Sequence, residues 1–145
     1  MKILDHAFFT VHDVTRFPAV IVRPTAIEPG YARQWAAEME MLLQYGEPFS
    51  VLYLETPAEE PHEDYKQRGI WLKAHRDALA RLCAALVVIE PDAQRREAAA
   101  QRGRGASKAF GIAHHAVGSL SEGLAISFGH AARRPPQDDR AVAYG

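Results

Sequence analysis

An apolar stretch in the second half of the chain decides the fold. It runs Leu82-Cys83-Ala84-Ala85-Leu86-Val87-Val88-Ile89-Glu90-Pro91-Asp92. A helical apolar pattern ends near Leu82, and the almost unbroken apolar run that follows stops at Glu-Pro-Asp. A short run of this kind is typical of a strand that is buried on both faces of a parallel sheet. We therefore expect the central strand here, covered by the helices that precede and follow it.

The first part of the chain predicts a β-hairpin. Residues 7–12 and 17–22 are rich in aromatic and β-branched side chains, and a short polar segment, residues 13–16, separates them. Two such runs joined by a short turn are typical of paired antiparallel strands. We expect the first of them to be the edge strand of the sheet.

Helix and strand patterns alternate through the rest of the chain. Trp35 and Met39 fall at helical spacing on one apolar stripe, which predicts that both lie in the core. Gly103 and Gly105 each cost about 1 kcal/mol relative to alanine inside a helix, so the helix that holds them is expected to kink or end there. Ser121 is the expected N-cap of the last helix. The predicted elements are helices over 29–46, 64–82, 94–110 and 121–132 and strands over 49–54, 84–89 and 112–117.

This order of elements predicts one α/β domain. An antiparallel start followed by strand-helix alternation gives a single mixed, mainly parallel sheet covered by helices, in the order β-β-α-β-α-β-α-β-α. At 145 residues the chain has the usual size of one domain, and no repeat or linker divides it. We assign residues 1–132 to the domain and residues 133–145 to a flexible C-terminal tail.

Composition and charge argue against several classes of function. The chain has 17 basic and 18 acidic residues, a net charge of -1 and no long apolar span, so neither nucleic acid nor a membrane is expected as a partner. Cys83 is the only cysteine, which excludes an intramolecular disulfide and a cysteine-rich zinc site. Its apolar neighbours predict a buried, unreactive thiol. The N-terminus lacks the pattern of a signal peptide, which favours the cytoplasm.

Charged residues follow three of the predicted strands. Arg23 follows the second strand, Glu55 the third, and Glu90 and Asp92 the fourth, with His62 in the acidic loop nearby. Ligands of open α/β sheets bind outside the carboxyl ends of the strands. If these strands are parallel neighbours, the side chains converge on one rim, where a carboxylate pair can do acid-base work or hold a cation. The structural alternative is that Asp92 caps the next helix and Arg23 neutralises Glu55.

Two polar residues fall on the apolar arc of the helix predicted over 64–82. Arg68 and His75 are seven residues apart, and a charge in that position must find a partner or reach solvent. One interpretation of this pair is an anion-binding pocket, or a polar contact, under the acidic loop. The other is a snorkelling arginine and a hydrogen-bonded core histidine. Of the adjacent His114 and His115, at most one can join a site, because neighbouring strand residues point to opposite faces.

The element order and one segment resemble the STAS or SpoIIAA-like family of small cytoplasmic α/β domains. The most similar segment is a tryptophan-bearing helix that runs directly into a strand, Trp71-Leu72-Lys73-Ala74-His75-Arg76-Asp77-Ala78-Leu79-Ala80-Arg81-Leu82-Cys83-Ala84-Ala85-Leu86-Val87-Val88-Ile89. The likeness covers roughly residues 7–127. It implies the STAS-like fold and a regulatory domain that acts by binding a protein partner.

The resemblance also implies a phosphorylation switch, from which this chain departs. Members of the anti-sigma-antagonist type are phosphorylated on a serine or threonine just after the strand that corresponds to residues 49–54. Glu55-Thr56-Pro57 stands there, without an Asp-Ser pair. Thr56 is the one hydroxyl at this place, and the added charge would be repelled by the acidic residues around it.

Three hypotheses about function follow. The first is a non-enzymatic cytoplasmic accessory or regulatory domain that binds a protein partner or a small ligand and carries no cofactor. The alternative is a small enzyme, or a metal- or ligand-binding protein, that uses the carboxylates at the strand ends; no nucleotide-binding or hydrolase motif occurs, and no catalytic residue or metal ligand is assigned. The third is a homodimer in which the acidic residues 55–64 meet the basic residues 95–108 of a second copy. The candidate ligand-binding residues are Arg23, Glu55, His62, Arg68, His75, Glu90 and Asp92.

Overall fold

Five strands form one mixed sheet in the order in which they occur along the chain. The computed structural model describes residues 4–54 and 61–133, and its strands are β1 (His12–Arg16), β2 (Ala19–Val22), β3 (Phe49–Leu54), β4 (Cys83–Ile89) and β5 (Ala113–Val117). β1 pairs antiparallel with β2, and all further pairs are parallel. The predicted α/β class, a mainly parallel sheet opened by a hairpin with β1 at its edge, is confirmed.

Five α-helices, counted over the same residues, cover the sheet. They are α1 (Ala32–Tyr45), α2 (His62–Ala74), α3 (Arg76–Leu82), α4 (Ala93–Phe110) and α5 (Leu120–Arg133). α1 ends at Gly46, whose positive φ of 79° suits glycine. α1 to α4 pack on one face and α5 on the other, so the sheet is buried from both sides. Of the predicted tail, residues 133–145, all but Arg133 lie outside the described residues.

The two faces of the sheet are packed differently. On the α1–α4 face the core is built around large side chains, among them Trp35, Met39 and Trp71, of which Trp35 and Met39 are buried as predicted. On the other face smaller side chains of the sheet meet α5, and Gly123 lets the helix approach closely. A Cβ at Gly123 would lie 3.2 Å from side-chain atoms of both Leu52 and Ile89. Gly123 therefore lets α5 pack directly on the side chains of Leu52 and Ile89.

The apolar stretch at residues 82–92 forms a strand, but not the central one. β3 lies in the middle of the sheet, and β4 lies one place from the β5 edge. Burial alternates along β4, with Leu86 and Val88 only partly covered. Leu86 packs against the cluster of large side chains on the α1–α4 face. Cys83 is buried at 3% exposure, as predicted.

The hairpin lies later in the chain than predicted. Residues 6–8 form a short 3-10 turn, in which Asp5 Oδ1 accepts a hydrogen bond from the backbone N–H of Ala7 at 3.0 Å. β1 begins only at His12, so the prediction of a strand over residues 7–12 and a turn over 13–16 is wrong. The N–H groups of residues 10–12 bind the carboxylate of Glu38 instead of a neighbouring strand.

Three helix boundaries also differ from the prediction. The single helix expected over 64–82 is two helices, α2 and α3, separated at His75. α4 continues through Gly103 and Gly105 without a break. Gly103 allows the helix to pack closely on β5 and does not produce a kink. The N-cap of α5 is Ser119, not Ser121: its Oγ accepts a hydrogen bond from the N–H of Glu122 at 3.2 Å.

Candidate functional site

The carboxyl ends of β2, β3 and β4 lie side by side at one edge of the sheet, as the predicted rim requires. The three strands are parallel neighbours, and Arg23 and Glu90 each follow directly after a strand end. β3 lies between them, which separates the two backbones by roughly 10 Å. Glu55, the carboxylate predicted to lie between them, falls outside the described residues, as does Thr56.

Glu90 and Asp92 build the turn between β4 and α4. Glu90 Oε2 accepts a hydrogen bond from the N–H of Asp92 at 3.0 Å, and Asp92 Oδ2 accepts one from the N–H of Arg95 at 2.9 Å. Asp92 is therefore the N-cap of α4, the structural alternative that the sequence suggested, and such a cap contributes about 1 kcal/mol. Arg96 Nη1 donates to the carbonyl oxygens of Glu90 and Pro91, both at 3.1 Å.

Arg23 and His62 are exposed, and Arg23 interacts with the edge strand. The hydroxyl of Thr15 donates to Asp13 at 2.6 Å and is the largest cause of a lowered pKa of Asp13, to which Arg23 adds a weaker attraction. His62 is the first residue of α2. The structure therefore brings Glu90 and Asp92 together in one turn, while Arg23 acts on Asp13 of β1.

Arg68 and His75 lie at the two ends of an aromatic cluster between α1 and α2. The guanidinium carbon of Arg68 is 5.4 Å from the ring centroid of Trp35, Trp35 meets Trp71 edge to face at 5.2 Å, and His75 stacks on Trp71 at 4.0 Å. Aromatic and cation–π contacts of this kind contribute roughly 0.5–1.5 kcal/mol each. The two residues that stood out on the predicted helix therefore belong to one cluster.

His75 stands at the C-terminal end of α2, and its side chain is hydrogen-bonded to the last turn of that helix. His75 Nδ1 lies 2.9 Å from the carbonyl oxygen of Trp71, which also accepts the backbone N–H of His75 at 3.0 Å. Because a carbonyl oxygen can only accept, Nδ1 carries the proton, and Nε2 faces the carboxylate of Glu40 at 3.7 Å. The hydrogen-bonded histidine is one of the two alternatives that the sequence left open.

A cleft of about 500 Å³ opens between α1 and α2. We call it the α1–α2 cleft. Trp71 and His75 line it together with Ile70, and alanine methyl groups from both helices form most of the remaining wall. Arg33 and Glu40, two turns apart on α1, add charge to the lining. Its volume is in the range of ligand-binding clefts, but it is open to solvent.

Asp64 sets the relative position of the two helices that form this cleft. Its carboxylate is buried and accepts the backbone N–H groups of Gly30 and Ala32, each at 2.9 Å, just before and at the start of α1. This carboxylate holds the N-termini of α1 and α2 together, and the contacts Trp35–Trp71 and Glu40–His75 farther along show that the two helices run parallel.

A buried carboxylate that accepts several hydrogen bonds was not predicted. Glu38 of α1 is 0% exposed, and its carboxylate accepts the N–H groups of Thr10, Val11 and His12 at 2.8–3.1 Å. It also binds His12 Nδ1 at 2.9 Å and Gln34 Nε2 at 2.7 Å. Burial raises the pKa of Glu38, but these hydrogen bonds, that of His12 first, outweigh burial and lower it to about 2. We call this group the Glu38 network.

The sequence did carry a signal for the Glu38 network. Glu38 lies three residues after Trp35 and four before Leu42, on the apolar stripe of α1, which is the same kind of position that drew attention to Arg68 and His75. A carboxylate there must be paired when it is buried. His12 Nε2 is also buried, and it has no hydrogen-bond partner within the described part of the chain. With no exposed atom, this pair serves the packing of β1 on α1.

Two histidines contact each other at the opposite edge of the sheet. His115 of β5 and His130 of α5 approach each other with their Nε2 atoms 3.2 Å apart, and both are partly exposed. His114, next along β5, points to the other face, where its ring contacts the backbone of α4 at Gly103. The expectation that His114 and His115 do not share a site agrees with this arrangement.

Comparisons with known proteins leave the site to be interpreted from its geometry. No protein-family model, curated protein or solved structure gives a significant match to this chain. None of the helices in the described residues is long and apolar enough to cross a membrane. Over residues 4–54 and 61–133, no group of three or more histidine, cysteine, aspartate and glutamate side chains is arranged to hold a metal ion.

Proposed function

We propose that this chain is a non-enzymatic, STAS-like accessory domain of the cytoplasm that acts by binding a protein partner in the α1–α2 cleft. The observation that carries the proposal is the open cleft, lined by alanines, beside Ile70, which is 61% exposed. Ile70 enlarges the apolar surface of the alanine-lined cleft, and a partner that covers both removes this apolar area from water. The strand-helix order of the chain, which resembles that of a partner-binding family, is the second support.

The shape of the cleft favours a helix as the bound segment. Ala36 and Ala37 of α1 and Ala74 of α2 present only methyl groups, so a partner can bring a bulky side chain, or its own backbone, close to both helices. Amphipathic helices bind in this way, with apolar residues spaced three or four apart inserted into a groove. Ile70 extends the apolar surface beyond the groove itself.

The charges of the cleft specify the chemistry of the partner helix. Arg33 and Glu40 are seven residues apart on α1, which is roughly 10 Å along the helix axis. A complementary helix carries an acidic residue opposite Arg33 and a basic residue opposite Glu40, about two turns apart, with apolar residues between them. Rim charges of this kind contribute more to orientation and association rate than to affinity.

Substitutions that fill the cleft test the proposal. Ala37→Arg, at a partly exposed position, and Ala74→Arg, at an exposed one, each put a long charged side chain into it, and arginine and alanine differ little in helix propensity. Ala98→Arg, on the exposed side of α4, is the matched control. Proteins captured from the native host by the unmodified chain are purified, and their affinity for each variant is measured by calorimetry. We expect binding to weaken roughly tenfold or more in the two cleft variants and to stay unchanged in the control.

Three results would contradict this function. The purified candidate binds the cleft variants as well as the unmodified chain, no purified candidate binds at all, or light scattering shows that the occupant is a second copy of the chain. A thermal-shift screen tests whether the cleft binds a small molecule instead of a protein, since a ligand at about 100 times its dissociation constant stabilises the fold by about 2.7 kcal/mol. A small molecule whose stabilising effect is lost in Ala37→Arg would replace the protein partner.

A further inference from the structure

The pair His115–His130 has the geometry of two ligands of one metal ion. The two Nε2 atoms are 3.2 Å apart, and the ring planes are inclined at 60° with their centroids at 5.4 Å. Nitrogens that bind one Zn²⁺ at about 2.0–2.1 Å in neighbouring positions lie roughly 3.0–3.4 Å from each other. We propose that His115 and His130 form a binding site for a divalent transition-metal ion of the Zn²⁺, Ni²⁺ and Cu²⁺ class.

The two histidines are held in place by elements that do not depend on a metal. β5 is hydrogen-bonded along its length to β4, and α5 is packed closely on the sheet through Gly123. The His115 and His130 rings therefore meet between two fixed backbones, one strand and one helix. A site that is formed before the ion arrives loses less conformational entropy on binding than two histidines on mobile loops.

Binding requires a rearrangement of one proton. In the hydrogen bond between the two rings, one Nε2 carries the proton and the other accepts it. When the ion binds, the donor ring keeps its charge and moves that proton to its own Nδ1, so both Nε2 lone pairs point at the metal. Imidazole nitrogen suits Zn²⁺, Ni²⁺ and Cu²⁺, and binding strength rises toward Cu²⁺. Both rings are partly exposed, so an ion can reach the pair from solvent.

Other histidines of the chain supply the controls. His114 is adjacent to His115, but its side chain lies on the opposite face of β5 and its Nδ1 is 3.0 Å from the carbonyl oxygen of Ile112. His114→Gln therefore removes an imidazole from the same strand without touching the pair. His115→Gln and His130→Gln each remove one proposed ligand and keep a polar side chain of similar reach.

Calorimetric titration of the full, tag-free chain with Zn²⁺ at about pH 7.5, above the ordinary range of histidine, tests the site. We expect the unmodified chain and His114→Gln to bind one ion with the same affinity, and His115→Gln and His130→Gln to bind roughly tenfold or more weakly. Circular dichroism verifies that each variant is folded. Equal binding by all four proteins, or an equal loss in His114→Gln, would overturn the proposal.

An NMR measurement on the unmodified chain gives the answer without a substitution. Long-range ¹H–¹⁵N spectra resolve the ring nitrogens of the seven histidines and report their tautomers. Added Zn²⁺ is expected to shift the Nε2 signals of His115 and His130 and to leave both rings protonated at Nδ1. Shifts confined to other histidines, or no shift of either Nε2, would show that the pair is only a hydrogen bond.

Discussion

The two edges of the sheet each carry a histidine in a polar pair, and the two pairs differ in how completely they are enclosed. At the β1 edge, His12 and Glu38 are both 0% exposed, and one carboxylate accepts several N–H groups at once. At the β5 edge, the Nε2 atoms of His115 and His130 lie 3.2 Å apart, and both rings remain partly exposed. The same side chain is a fixed part of the core in the first case and accessible to an ion in the second.

The largest effect is expected at the enclosed edge. Glu38→Ala leaves His12 and three backbone N–H groups without their buried acceptor, which should lower the free energy of unfolding by about 3–5 kcal/mol. Glu40→Ala is the same change two residues later on α1, at a side chain that is 51% exposed, and should cost no more than about 0.5 kcal/mol. Urea unfolding of both variants measures the difference. Similar losses in both would mean that the Glu38 network contributes nothing specific.

The Glu38 network also makes a prediction about acid. The pKa of Glu38 is about 2 in the folded chain, below its ordinary value of 4.5. A carboxyl with a lowered pKa stabilises the fold fully above its ordinary value, and this contribution is lost as the pH falls from about 4.5 toward 2. The loss is about 3 kcal/mol. Asp13, whose pKa is also lowered, acts in the same direction.

Unfolding midpoints measured between about pH 7 and pH 2.5 check this loss, with Glu38→Gln as the comparison. The amide cannot ionise, so the variant should start from lower stability and lose much less of it between about pH 4.5 and 2.5. Asp13→Asn removes the other lowered carboxyl and separates its share. A Glu38→Gln curve parallel to that of the unmodified chain would assign the acid sensitivity to other groups.

The two edges also mark how far the sequence alone could predict this fold. Apolar runs and helical spacing identified the class of fold and the core position of Trp35, because those patterns come from burial itself. The position of β1 was missed because its start depends on Glu38, a residue 26 positions away from His12 in the sequence. Local pattern gives no information on such a partner.

The same limit applies to the candidate site. Arg68 and His75 were identified because a polar residue on an apolar stripe stands out, and Glu38 on α1 would have been found by the same test. The contact between His115 and His130 joins a strand to a helix, 15 residues apart in the sequence, and needs the packing angle of α5 to be known. Asp92 was recognisable as a helix cap, since capping depends only on its nearest neighbours along the chain.

The smallest effect is expected where α4 packs on β5. A Cβ at Gly103 of α4 would lie 2.9 Å from Cβ of His114, an atom fixed to the backbone, so Gly103→Ala requires α4 to move. Gly105, two residues later in the same helix, has nothing within 4 Å of such a Cβ. Alanine gains about 1 kcal/mol of helix propensity at either position, whereas overpacking costs about 1–3 kcal/mol. Gly103→Ala should therefore lower the unfolding free energy by about 1 kcal/mol and Gly105→Ala should raise it by up to about 1 kcal/mol. Urea unfolding measures both changes. If the unfolding free energy falls in Gly103→Ala and rises in Gly105→Ala, β5 is held by close backbone packing, whereas β1 is held by a carboxylate. If it rises in both variants, α4 does not pack tightly on β5.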